Sequence, residues 1–226
     1  MSSDRHELNE ELEHDGFVSG VLTAYGNVMA RKGLVLGVLL AVTLAVVGVF
    51  AFIRMGQLKE DRAAVMLGRA SAFLDTEQLD QARPLLEKVR SDFPGTDAAL
   101  DALYFLALGD LQQDKLGQAR ANLESYLKEA GTESFMTSTA QAGLAVCDER
   151  ERKWAEAADK WTKAAMMDEA GNFNAPVYLL NAALCFEQAG KNAEALPLLE
   201  RILEKYPKSA VKSRVEVVQA RLKSDA

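Results

Sequence analysis

The chain has 226 residues, with Lys+Arg 26 against Asp+Glu 33 for a net charge of -7, two histidines and two cysteines. No basic block of the kind that tracks phosphates is present, which argues against nucleic acid as a partner. His6 and His14 sit in an acidic stretch and Cys147 and Cys185 are far apart in the chain, so neither a metal site nor a cofactor is expected.

Residues 1–16, MSSDRHELNEELEHDG, carry only Leu8 and Leu12 as large apolar side chains. That is too little to offset the entropy of ordering, and a disordered acidic tail is expected. Over residues 17–32 the apolar side chains Phe17, Val18, Val21, Leu22, Tyr25, Val28 and Met29 recur at helical spacing, as in an amphipathic helix lying in a membrane interface. Gly16, Gly20 and Gly26 weaken a helix, so a loosely structured lead-in is the alternative.

Residues 33–53, GLVLGVLLAVTLAVVGVFAFI, carry no charge, and Thr43 is the one hydrogen-bonding side chain among them. About 20 such residues cross a hydrocarbon core as a helix, which satisfies its own backbone where no water is available. Arg31 and Lys32 close one end and Arg54 the other. The run exceeds the roughly 7 to 15 apolar residues of a cleaved signal peptide, has no small-residue cleavage site after it, and is followed by no nearby cysteine for a lipid anchor. A retained transmembrane helix is therefore expected. Gly33, Gly37, Ala41 and Ala45 recur every four residues along it, a small-residue stripe through which two helices could pack and the chain could self-associate. Local charge does not decide orientation: Arg54, Lys59, Arg62 and Arg69 after the span outnumber Arg31 and Lys32 before it, but charges inside a large folded domain bear less on topology.

Residues 58–224 show no strand pattern and are rich in Ala, Leu, Glu, Lys and Gln. PLLEK at Pro84–Lys88 returns as PLLER at Pro197–Arg201, an offset of three periods of about 38. Filling in the period places alanine at Ala70, Ala107, Ala145 and Ala183, and twelve positions after each at Ala82, Ala119, Ala157 and Ala195. Each unit reads as a helical hairpin with two apolar faces, which must stack on neighbours to bury both. Val211, Val215, Val218 and Leu222 then form one face of a capping helix at the end of the stack. The fold class is all-α: one N-terminal transmembrane helix, then a solenoid of about four hairpins and a cap.

The alanine pairs resemble the tetratricopeptide repeat, where small residues allow the two helices of a unit to cross closely. Phe73 and Phe186, then Leu86, Leu123, Trp161 and Leu199, then Pro94 and Pro207, fill other sites of that pattern. Asp110 and Asp148 depart from it, standing where an aromatic is usual, and the spacing of 37 to 38 exceeds the usual repeat. The resemblance implies a concave groove lined by the first helix of each unit, three residues before and one after its alanine. Those sites are Leu67 and Ser71, Tyr104 and Leu108, Ala142 and Val146, and Leu180 and Leu184. They are almost wholly apolar and suit an apolar or amphipathic segment of a protein partner. The alternative is a groove closed by curvature or by the cap, in which case these residues are core.

No catalytic constellation is present, and an enzyme is not expected. Asp148, Glu149 and Glu151 read as solvated helix faces pairing with Arg150 or Lys153. Cys147 and Cys185, on equivalent sites of successive first helices, read as two buried thiols, because neighbouring helices pack too far apart for a disulfide to reach between equivalent sites. The layout of tail, interfacial stretch, span and repeats is similar to the ancillary tetratricopeptide subunit of the bacterial Sec translocon, a family linked to periplasmic chaperones. That resemblance implies a single-pass inner-membrane protein with a cytoplasmic N-terminus and periplasmic repeats. It also implies a non-enzymatic scaffold or chaperone-like adaptor whose partners are translocon subunits, chaperones or translocating clients. An organiser of another envelope complex, in division or secretion, and a cytoplasm-facing docking protein are the alternatives.

Overall fold

The computed structural model describes residues 16–30, 32–131, 136–167 and 173–224. The expectation for the acidic tail falls outside them except at Gly16. Two compact units divide the chain, Met1–Leu58 and Lys59–Ala226. The described residues form ten helices: α1 (Gly16–Ala30), α2 (Lys32–Asp75), α3 (Leu79–Asp92), α4 (Asp97–Gln112), α5 (Leu116–Ala130), α6 (Thr137–Arg150), α7 (Trp154–Met166), α8 (Ala175–Gln188), α9 (Asn192–Lys205) and α10 (Lys212–Ser224).

In the first unit, α1 exposes Val21, Leu22 and Tyr25, and α2 exposes its apolar side chains all round from Leu36 to Met55. Thr43 Oγ1 donates to the Leu39 carbonyl at 2.8 Å, so the one hydroxyl of the apolar run is satisfied within the helix. By length and composition α2 is able to cross a membrane. Gly33, Gly37, Ala41 and Ala45 lie exposed along it, and a Cβ at Gly33 or Gly37 would meet open space.

In the second unit the helices form successive antiparallel pairs, each packed on the next. The C-terminal part of α2 shares a core with α3 and α4, α4 packs on α5, α5 on α6, α6 on α7, α7 on α8, α8 on α9 and α9 on α10. The eight alanines picked out by periodicity are all fully buried. Any larger side chain there would push the helix axes apart, which is why a small residue recurs while neighbouring positions vary. Leu86, Leu123, Trp161 and Leu199 are buried beside them. Val215, Val218 and Leu222 bury the inner face of α10 against the last hairpin, while Arg221 pairs with Glu187 at 2.8 Å on its outer side.

The turn inside each hairpin is built one way four times. Glu77, Asp114, Arg152 and Gly190, at successive repeat positions, adopt left-handed backbone with φ of 58°, 56°, 59° and 70°. The following residue donates its N–H back to Phe73, Asp110, Asp148 or Phe186 at 2.8 to 2.9 Å, closing a Schellman turn. Only the fourth repeat places a glycine there. The sequence pattern reveals Gly190 and conceals the other three. A different device fixes the entry to α4: the Glu60 carboxylate accepts from the N–H groups of Asp97 at 3.0 Å and Ala98 at 3.1 Å, and Thr96 Oγ1 accepts from Ala99 at 3.1 Å.

Candidate interaction groove

The first helices of the four units are the C-terminal part of α2, then α4, α6 and α8. On each, the residue after the buried alanine is half-buried: Ser71, Leu108, Val146 and Leu184. The residues three before it divide. Leu67 and Tyr104 are half-buried, whereas Ala142 and Leu180 are buried at 4% and 1% exposure. The structure therefore keeps one row partly accessible through all four units and the other through the first two. Tyr104 rests on Tyr126, ring centroids 6.1 Å apart. Burial, followed by the influence of Tyr178 and Tyr126, raises the Tyr104 pKa. Tyr178 itself packs on Trp161 at 5.4 Å, so Trp161 belongs to the core and Trp154 is half-buried.

Behind this face the two central units hold charge where the end units hold aromatic rings. Asp110, fully buried, accepts from Arg83 of the preceding hairpin and from Asn122 at 2.9 Å. Asp148, 2% exposed, accepts from Arg120 of the preceding hairpin at 2.8 Å and from Lys160. Burial pulls the Arg120 pKa down, but the hydrogen bond and charge of Asp148, with Glu151, hold it above its ordinary value. The reading of Asp148 as a solvated residue is thus corrected: its partner lies one hairpin upstream, out of reach of any i,i+4 search along its own helix. Arg150, expected to pair locally, instead donates to the Leu111 carbonyl and meets Asp114 at 3.2 Å. Glu151 pairs with Lys153 at 2.6 Å, and the hydrogen bond from Lys153, ahead of Arg120, lowers its pKa.

An open cleft of about 580 Å³ lies between α3 and α5, lined by Arg83, Glu87, Lys115, Gln118 and Asn122 among others. Arg83 and Asn122 are already committed to Asp110. Cys147 and Cys185 are both free and buried. Cys185 Sγ–H donates to Glu149 Oε1 at 2.9 Å, and burial, then this bond, pushes its pKa far above the ordinary thiol value; burial raises that of Cys147 as well.

The sequence model of the Tetratricopeptide repeat family matches residues 64–96 and 178–209. Those are the first and last hairpins, the two with Phe73 and Phe186 at the diverging site. No curated protein matches the chain. Among solved structures, a tetratricopeptide repeat protein from Parabacteroides merdae ATCC 43184 is similar at 16% identity and TM-score 0.59, over 72% of this chain and 60% of that one. This chain thus spans less than two thirds of that relative. MamA AMB-1 is similar at 22% identity and TM-score 0.51, over 68% of this chain and 78% of its own. YrrB, described as a TPR protein with an unusual peptide-binding site, is similar at 15% identity and TM-score 0.52, over 68% of this chain and 74% of its own. The likeness at these identities concerns the fold.

Proposed function

We propose that this tetratricopeptide-repeat protein is a membrane-anchored adaptor that holds segments of partner proteins against the first helices of its repeats. The observation that carries the reading is the row Ser71, Leu108, Val146 and Leu184. It remains half-accessible through four consecutive units and is mostly apolar, although each of its residues directly follows a fully buried alanine. Apolar side chains held in that state gain by covering with another chain. The anchor rests on α2, whose charge-free run is exposed on every side and suited to lipid. The peptide-binding site ascribed to YrrB supports the use of such a scaffold for extended or helical segments.

The layout further supports a place beside the Sec translocon, with the N-terminus cytoplasmic and the repeats periplasmic, where translocon subunits, chaperones or emerging clients are the partners. Reporter fusions test the orientation. A fusion after Lys223 is active only when exported, and one placed ahead of Phe17 only when cytosolic; the reverse result moves the protein to the cytoplasm-facing reading. Purification in mild detergent then separates translocon subunits from components of a division or secretion complex. For the groove, Leu108→Glu and Leu184→Glu each reduce partner recovery while helicity and unfolding midpoint stay near the parent's. Loss of folding by both would assign the row to the core and end the groove reading.

A further inference from the structure

Charge is divided unequally between the two layers of the repeat domain. The first helices α4, α6 and α8 carry six carboxylates (Asp97, Asp101, Asp110, Asp148, Glu149, Glu187) and one cation, Arg150. The second helices α3, α5, α7 and α9 are nearly balanced. Most of the six are engaged. Asp110 and Asp148 hold the cations of the second helices, Glu187 holds Arg221, and Glu149 accepts from Cys185. Among the described residues no cation pairs with Asp97 or Asp101, and the charged group beside them is Glu60, another carboxylate. Burial, followed by the charges of Asp97 and Glu60, raises the Asp101 pKa.

These two acids lie on the accessible stripe of α4. Asp97, Asp101, Tyr104 and Leu108 follow one another at intervals of four, three and four residues, so they share one helix face over about 16 Å. Asp97 is exposed, and Asp101, Tyr104 and Leu108 are half-buried. The cations of the same layer are turned elsewhere. Arg150 is directed to the Leu111 carbonyl and Asp114, Lys59 donates to the Pro94 carbonyl at 2.5 Å, and Arg62 and Arg69 fall about half a turn away from Leu67 around α2.

Resting on the adaptor reading above, we infer that the face built by Tyr104, Leu108, Val146 and Leu184 takes an apolar segment bearing Lys or Arg at one end, with those cations seated on Asp97 and Asp101. A carboxylate pair with no cationic side chain on it, beside an apolar row, attracts a cation and repels an anionic flank, so it sets both which segment binds and which way it runs.

The test uses the full chain in phosphatidylcholine nanodiscs, with empty discs as baseline. It is titrated with two short fluorescent peptides of identical length and Leu/Ala/Tyr core, one ending in two lysines and the other in two glutamates. The lysine peptide binds about fivefold tighter, the scale of two partly exposed ion pairs, and loses that advantage in high salt. Asp97→Asn with Asp101→Asn brings the two peptides within about twofold of each other, and Asp101→Asn alone goes part of the way. Glu156→Gln with Asp159→Asn, the same charge change on α7, leaves the preference intact. Equal binding of both peptides by the parent, with both lost in Leu184→Glu, overturns the inference and leaves the groove standing. Erasure of the preference by the α7 pair also overturns it, assigning the preference to net charge. Failure of either peptide to bind, with Leu184→Glu without effect on partner recovery, removes the groove itself.

Discussion

The end repeats and the central repeats solve one packing problem with opposite chemistry. At the site that closes the hairpin turn through its carbonyl, the first and last units place Phe73 and Phe186, and the two between place Asp110 and Asp148. An aromatic fills the space between hairpins with apolar volume. An aspartate there survives only because the preceding hairpin delivers an arginine and the same unit delivers a second donor. Ahead of the first repeat, the described residues include no second helix of a hairpin to supply the arginine. In the last, the positions matching Arg120 and Lys160 are Ala158, fully buried, and Leu198, packed against the same apolar cluster. Charge at this site is therefore confined to the interior of the stack, where each unit has a neighbour that can answer it. Buried pairs of this kind add little net stability but penalise any arrangement that separates the partners, and so favour one order of hairpins.

The comparison breaks most sharply if chemistry is moved from the centre to the end. Phe186→Asp removes a ring from the core and buries a carboxylate opposite Ala158 and Leu198 where Asp148 has Arg120 and Lys160, so a loss of more than about 5 kcal/mol is expected and the cooperative urea transition of the repeat domain disappears. Arg120→Met leaves Asp148 with Lys160 as its remaining cationic partner. The cost is about 3 kcal/mol, at the low end for a broken buried pair because the Arg120 side chain keeps 23% exposure. Asp148→Phe with Arg120→Met recovers a good part of that loss if the two chemistries are alternatives at one site.

Smaller effects sharpen the same contrast. Gly143 lies between the two charged units, and a Cβ there would come within 2.9 Å of the buried Leu123 side chain. Gly143→Ala is expected to cost about 1 to 3 kcal/mol by denaturant unfolding. The thiols beside Asp148 and Phe186 resist alkylation in the folded protein, and both react once it is unfolded. Because burial raises their folded pKa above the ordinary 9.0, the unfolded chain releases thiol protons first; stability is full below pH 9 and falls as pH rises beyond it. At the turns, Gly190→Ala should cost about 1 kcal/mol, whereas Arg152→Gly should change stability by less than that or raise it slightly.

Much of the solenoid was legible in the linear sequence because its requirement is local and absolute. Two helices cross closely only over a small side chain, and all eight alanines found by period are buried to the last atom. The long apolar helix of α2 was legible as a helix able, by length and composition, to cross a membrane. Asp110 and Asp148 looked like flaws in the pattern, and their meaning depended on residues 27 and 28 positions upstream on another hairpin. A signal was present in the equivalent repeat positions of Arg83 and Arg120, each next after Ala82 or Ala119, and of Asp110 and Asp148, but nothing in one sequence says that such a pair meets. The same holds for the groove. Sequence periodicity assigns Tyr104 and Leu180 to one row, and only the stacking of successive hairpins leaves the first half-open and encloses the second. Composition and period thus determined which faces must be buried, because burial of apolar surface is a property of the residues themselves. Tertiary structure decided which charges meet and which apolar sites stay accessible, because both depend on distances between elements far apart in the chain.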